Sequence, residues 1–139
     1  MKRLFHLTSP EAWRAFAENE AAATFAPASL ATEGFVHLSF AEQLRGTLDT
    51  HFAETRELVL VELDAARLQD AVGEDLRFEP SRGGALFPHV YAPLPRASFR
   101  GWWRLLRNEH WEVPHLATLV ADDVPPATQG VSFVAPRLG

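Results

Sequence analysis

Apolar positions in the first half of the chain alternate between short continuous runs and three- to four-residue spacings, a pattern typical of strands that lead into helices. Residues 4–7 predict a strand, and Ser9 followed by Pro10 predicts a helix N-cap and first helical position. Pro27 should end any helical continuation. The apolar face predicted for this helix carries Trp13, Phe16 and Ala17.

The same strand-to-helix pattern recurs further along the chain. Residues 34–39 predict a short strand entered through a glycine, and Ser39 with Glu42 has the spacing of a capping box. Four-residue spacing then predicts a second amphipathic helix. Its apolar stripe would consist of Phe40, Leu44, Leu48 and Phe52.

A third strand is predicted over residues 58–63, where an apolar run contains one carboxylate, Glu62. That position is either an edge residue or a site residue. Asp64 should cap a short helical turn over residues 65–68. Further strands are predicted over residues 77–80, 89–92 and 97–106. The mixture of predicted strands and helices indicates an α+β fold.

The pattern weakens after residue 106, where four prolines divide the chain into short pieces. With 139 residues, the chain fits one hydrophobic core rather than two. We therefore expect one domain over residues 1–106 and a C-terminal extension, residues 107–139, packed on it. A small edge strand is predicted at 131–134, and Trp111 or Leu116 could hold the extension against the core.

The amino-acid composition limits the cellular location and the binding partners expected for this domain. The chain has no cysteine, so neither disulfides nor thiolate metal sites can stabilise it, and a cytoplasmic location is expected. The N-terminal residues form no apolar run long enough for a signal peptide or a membrane span. A net charge of -5 disfavours a broad nucleic-acid-binding face.

Three of the six histidines, His6, His37 and His89, lie within or beside predicted strands. Burying an imidazole requires partners for both ring nitrogens, so three such positions suggest a shared polar cleft. Three separately satisfied histidines are the alternative. Exposed or structural roles are expected for the remaining histidines, His51, His110 and His115.

Two further interpretations concern possible binding sites for a metal ion and for a phosphate. Three imidazoles with an open fourth position are the ligand set of some hydrolytic zinc centres, although the usual local two-histidine spacing is missing. Arg82, followed by two glycines, could hold a phosphate, because glycine lets backbone N–H groups approach an anion. At least one of the adjacent Trp102 and Trp103 is expected in the core, since they face opposite sides of a strand.

Four segments in order, residues 5–8, 30–39, 59–64 and 86–95, resemble the bacterial domain-of-unknown-function family 952. The most specific parts are Gly-Phe-Val-His-Leu-Ser at 34–39 and Phe-Pro-His-Val-Tyr at 87–91. That family is similar to the ADP-ribosyltransferase superfamily, nearest to the RNA 2′-phosphotransferases, which use NAD as phosphate acceptor. His6-Leu7-Thr8 resembles their His-Gly-Thr, and residues 36–39 resemble their Val-His-Leu-Ser.

The resemblance implies an ADP-ribosyltransferase-like split β-sheet with flanking helices and a cleft for NAD or a related nucleotide. His6 would hydrogen-bond the nicotinamide ribose, His37 would stand at the second signature position, and His89 or Tyr91 at the third. Glu62 and Glu79 are the candidate carboxylates. Thr8, Ser39, Arg82 and Tyr91 would contact the nucleotide. The acceptor stays open, and a noncatalytic nucleotide-binding module and a zinc-dependent hydrolase are the alternatives.

Overall fold

The computed structural model describes residues 3 to 113, which combine antiparallel strands with four α-helices. This mixed architecture agrees with the predicted α+β class. Arg107 ends the last long strand, and Trp111, buried to 2% exposure, belongs to a short strand paired with it. The predicted strand at 131–134, together with His115 and Leu116, lies outside the described residues.

The largest sheet has five antiparallel strands. Its strands are β1 Leu4–Thr8, β4 Ser39–Phe40, β5 Glu57–Leu63, β9 Phe99–Arg107 and β10 Trp111–Glu112. Their spatial order is β10-β9-β5-β1-β4, so β1 lies between β5 and the two-residue strand β4.

Two smaller antiparallel sheets complete the strands of the described chain. Their strands are β2 Thr24–Phe25, β3 Val36–His37, β6 Leu76–Pro80, β7 Leu86–Val90 and β8 Leu94–Pro95. One sheet has three strands in the order β3-β7-β6, and the other pairs β2 with β8. Only Leu38 separates β3 from β4, so the backbone passes from the three-stranded to the five-stranded sheet within one residue.

Two of the four helices begin where their capping residues predict. Ser9 accepts a hydrogen bond from the backbone N–H of Ala12, and Asp64 accepts one from that of Arg67, so each satisfies a donor in the first turn. The four helices are α1 Pro10–Glu18, α2 Ala28–Glu33, α3 Leu44–His51 and α4 Ala65–Val72.

The five-stranded sheet is buried on both faces, which explains the continuous apolar run of β5. Val59 and Val61 pack on one face with α1 and α4, whereas Leu58 and Leu60 pack on the other with α3. Successive side chains of β5 point to opposite faces of the sheet and therefore pack into two separate apolar clusters. The expectation that at least one of Trp102 and Trp103 lies in the core is confirmed, because all four tryptophans are buried: Trp13, Trp102, Trp103 and Trp111.

Two local predictions were wrong, and one helix was not predicted. Ser39 does not cap a helix, because it pairs with β1 as a strand residue; the amide of Phe40 instead donates to the Gln43 side chain, one residue later. The first helix ends before Pro27, at Glu18, but the helix α2 that begins after Pro27 was not predicted. The strand predicted at 89–92 covers Leu86–Val90 and ends before Tyr91.

No helix of the described residues is both long enough and apolar enough to cross a membrane.

Candidate functional site

A cleft of about 530 Å³ opens at the fork where the five-stranded and three-stranded sheets separate. Strand β4 pairs only with Leu4 and Phe5, so the rest of β1 is free of β4 and borders the cleft. All three predicted histidines line it. The polar side chains of the lining are His6, Thr8, Ser9, Ser29, Glu33, His37, Ser39, Thr47, His51, Ser81 and His89.

His6 forms the floor of the cleft and is only 6% exposed. Its Nδ1 lies 2.8 Å from the carbonyl oxygen of His37, so Nδ1 carries the proton and donates it to that oxygen. Nε2 is then a lone-pair acceptor, and it is buried without a hydrogen-bond partner among the described residues. Burial lowers the pKa of His6 to about 4, and nearby His37 adds to this, although the hydrogen bond to the carbonyl opposes it. The ring is therefore neutral at physiological pH.

His37 stands at the mouth of the cleft, with its side chain half exposed. Its Nε2 lies 2.9 Å from Oε1 of Glu33, the last residue of α2. The two residues are four positions apart in sequence but belong to a helix and a strand. The positive φ of +90° at Gly34 turns the chain between them. Glu33 thereby brings a carboxylate to the cleft.

His89 lies directly opposite His37 across the β3–β7 pair, with ring centroids 5.4 Å apart. Its Nδ1 lies 2.7 Å from Oε1 of Glu79, and the Tyr91 hydroxyl donates to the same oxygen at 2.7 Å. These two hydrogen bonds, that from Tyr91 first, lower the pKa of Glu79. The hydrogen bond to Glu79 also raises the pKa of the Tyr91 hydroxyl. Glu79 is therefore an ionised acceptor behind the histidine.

One aromatic ring holds this group of side chains in place. Phe35 lies 4.3 Å from the ring of His89, 4.6 Å from that of His37 and 5.2 Å from that of Tyr91, measured between centroids. On strand β6, the guanidinium of Arg77 lies 4.1 Å from the Tyr91 ring centroid. Such packing fixes ring orientations without using any ring nitrogen.

Two of the four residues predicted to contact a nucleotide line the cleft. Thr8 and Ser39 line the cleft, where Ser39 Oγ lies 3.3 Å from the Thr47 hydroxyl. Tyr91 is not part of the lining; its hydroxyl donates to Glu79, and its ring contacts Phe35. Arg82 begins a short turn, Arg82–Gly84, beside the lining residue Ser81.

Glu62, proposed from sequence as a cleft carboxylate, is excluded from the cleft. It is fully buried and accepts two hydrogen bonds of 2.7 Å from the guanidinium of Arg3. Glu62 lies opposite Phe5 and His6 lies opposite Val61, so strand alternation places Glu62 and His6 on opposite faces of the sheet. Its role is structural.

Within residues 3 to 113, no group of three or more histidine, aspartate or glutamate side chains could hold a metal ion. The zinc-hydrolase alternative therefore has no ligand cluster in this part of the chain.

All the lining residues except His6 lie in the segment that matches a known protein family. A family model described as "Protein of unknown function (DUF952)" matches residues 7–100. The chain belongs to this family. The crystal structure of CC0527 from Caulobacter crescentus is 32% identical, with a TM-score of 0.67, over 83% of this chain and 98% of that one. Its solution NMR structure gives a TM-score of 0.62, over 78% and 89%. Among curated proteins, no match was found.

Several DUF952 cleft residues were not predicted from sequence. Glu33 ends a helix that was not expected, and Phe35 precedes a two-residue strand. His51 was predicted to be exposed and is exposed, but it also lines the cleft from the last residue of α3. A carboxylate four residues before a strand histidine was the one available signal for Glu33.

Proposed function

We propose that the cleft binds NAD or a related nucleotide, in an ADP-ribosyltransferase-like split sheet, and that it serves transfer of ADP-ribose or acceptance of phosphate. The proposal rests mainly on one observation: His6 lines a cleft shared with two other histidines, and its ring Nε2 is buried without a hydrogen-bond partner among the described residues. A buried polar atom without a partner is costly, by roughly 1–3 kcal/mol, so such an atom calls for a ligand or an ordered water.

The chemistry of that nitrogen defines what it would bind. Because His6 is neutral and Nδ1 is used by the His37 carbonyl, Nε2 accepts hydrogen bonds and does not donate them. A ribose hydroxyl is a donor of the matching kind. The hydroxyls of Thr8 and Ser39 lie in the same lining and can both donate and accept.

The size and surface of the cleft are compatible with this ligand. Small-molecule sites typically enclose roughly 300–1,000 Å³ and combine apolar walls with a few placed polar groups. The cleft has about 530 Å³, with Leu7, Pro27, Phe52 and Phe87 among its apolar walls.

A noncatalytic nucleotide-binding module is the second candidate, and one observation favours it. Of the two carboxylates expected from sequence, Glu62 is held in the core by Arg3, and Glu79 is held by His89 and Tyr91. Glu33 is the carboxylate in the cleft lining, and it is paired with His37. A protein that binds the nucleotide and leaves its glycosidic bond intact would fit this arrangement.

Thermal unfolding with and without NAD tests binding directly. At a ligand concentration of 100 times Kd, binding to the folded state alone adds about 2.7 kcal/mol, which raises Tm by several degrees. His6→Phe removes the acceptor nitrogen and keeps an aromatic ring, so the NAD-induced rise should disappear. His37→Ala should also abolish it.

His110→Ala is the matched control, because His110 is exposed and lies outside the cleft lining. It should keep the full response. An NAD response that is the same in wild type, His6→Phe and His37→Ala would refute the assigned site.

A second measurement separates the two candidate functions. Protein that binds NAD is incubated with isotopically labelled NAD and cell lysate, and products are followed by mass spectrometry. Transferred ADP-ribose or phosphate supports the enzyme, whereas binding without any nicotinamide release supports the noncatalytic module.

A further inference from the structure

Two of the cleft histidines are held by different partners. His6 donates from Nδ1 to a backbone carbonyl, a neutral acceptor, in a desolvated position. His89 has the carboxylate of Glu79 at the equivalent nitrogen, at 2.7 Å. A carboxylate can balance a positive charge on the ring, whereas a carbonyl dipole does so only weakly. The two rings are therefore suited to different tasks.

The geometry also determines which nitrogen of His89 is available. Nδ1 is used by Glu79, and the ring lines the cleft while Glu79 does not. Nε2 is then the ring nitrogen left for a bound molecule, and it carries the lone pair when the ring is neutral. Phe35 packs 4.3 Å from this ring, between centroids, and keeps its orientation.

Glu79 is itself held on the far side. The Tyr91 hydroxyl donates to the oxygen that also accepts from His89, and both hydrogen bonds are 2.7 Å long. Glu79 on β6 is the diagonal neighbour of His89 on β7, because Glu79 pairs with Phe87, and Tyr91 follows the last residue of β7. A base oriented by a carboxylate, with that carboxylate oriented by a third group, is the arrangement expected of a proton-transfer site.

We propose that His89 is the general base of the cleft, and that Glu79 and Tyr91 are positioning residues that act through it. This rests on the proposed function, and it names the missing half of that function: the second substrate is a hydroxyl compound or water. The acceptor O–H loses its proton to His89 Nε2, and its oxygen bonds to the ribose C1′. The bond from C1′ to the nicotinamide nitrogen breaks, and its electron pair leaves with neutral nicotinamide. His89 then returns the proton to solvent.

The test uses purified full-length protein, NAD, and water as the acceptor. NAD binding is measured by calorimetry and nicotinamide release by chromatography, each for wild type and variants. Glu79→Gln keeps an acceptor oxygen for His89 but removes the charge, so release should fall at least about tenfold while the Kd for NAD is unchanged. His89→Ala should lower release by about 100-fold.

The split between binding and release separates positioning from a purely structural role. Without the Glu79 charge, nothing balances the positive charge that His89 gains with the proton, so release should fall in Glu79→Gln while the Kd for NAD stays unchanged. Glu57→Gln is the matched control, because Glu57 is paired with Arg104 on the sheet and lies outside this cleft. Its release rate and its Kd should both equal those of wild type.

Each failure has a distinct signature. If NAD binds but wild type releases no nicotinamide, or Glu79→Gln releases it at the wild-type rate, the proton-transfer role is wrong and the binding proposal stands. If NAD does not bind at all, the proposed function fails and the reaction assigned to His89 fails with it. Nitrogen-15 NMR reports the tautomer of His89 without NAD. A neutral His89 that carries its proton on Nε2 in wild type would overturn the assigned hydrogen bond from Nδ1 to Glu79.

Discussion

Acidification should destabilise this protein through His6 before its carboxylates are protonated. In the unfolded chain, His6 takes up a proton as the pH falls through its ordinary value of 6.5. In the folded protein, the pKa of about 4 keeps the ring neutral through that range. The unfolded state therefore binds more protons between pH 6.5 and pH 4, and stability falls as pH falls.

The expected magnitude follows from these two values. At about 1.4 kcal/mol per pH unit, the interval from 6.5 to about 4 corresponds to a loss of roughly 3 kcal/mol, approached only near the lower limit. The group is fully buried, so solvent screening does not reduce this figure as it would at the surface. For a domain of this size, that is a large part of the total stability.

Urea unfolding at several pH values between 7.5 and 4 measures this term. Wild type is compared with His6→Phe, which does not titrate, and the difference in unfolding free energy is plotted against pH. We expect the difference to change by about 3 kcal/mol across the window, while His110→Ala follows wild type. Parallel curves for wild type and His6→Phe would show that His6 is not buried in its neutral form.

Three further predictions concern stability, each measured by urea unfolding. Arg3→Met leaves the Glu62 charge buried without a partner and should cost about 3–5 kcal/mol, whereas Arg104→Met, at an exposed pair, should cost less than about 1 kcal/mol; equal losses would contradict the difference in burial. Trp13→Ala empties the centre of an aromatic cluster and should cost about 3–5 kcal/mol, and a loss under 1 kcal/mol would contradict its complete burial. Gly34→Ala should cost about 1 kcal/mol because of its φ of +90°, although a Cβ meets no neighbour there; an unchanged unfolding midpoint would argue against that conformation.

The common cleft of the histidines could be predicted from the sequence, whereas the side chains that pair with each other inside the fold could not. His6, His37 and His89 each stand in or beside an apolar run, and that local signal was enough to suggest a common cleft. The partners are distant or lie on other elements. Arg3 meets Glu62 across 59 positions, and no periodicity links them.

The errors in the fold arise where elements are very short. Helix α2 has six residues and buries none, so it lacks the apolar stripe that makes a helix visible in sequence. Strands of two residues, such as Thr24–Phe25, give no alternation to detect. The capping box at Ser39 was displaced by one residue because the chain changes sheets there, and pairing with β1 takes precedence over the local capping signal.

The single-residue passage at Leu38 has a mechanical consequence. One uninterrupted stretch of backbone supplies a strand to each sheet, so the two walls of the cleft share a covalent joint and cannot slide apart. Adjustment to ligands of different size must then come from the rim, where helix α2 and the turn beside Ser81 border the opening. An insertion of one residue at this joint would reverse the face of Ser39 relative to that of His37, so the pairing of β3 with β7 and that of β4 with β1 could not both keep their present register.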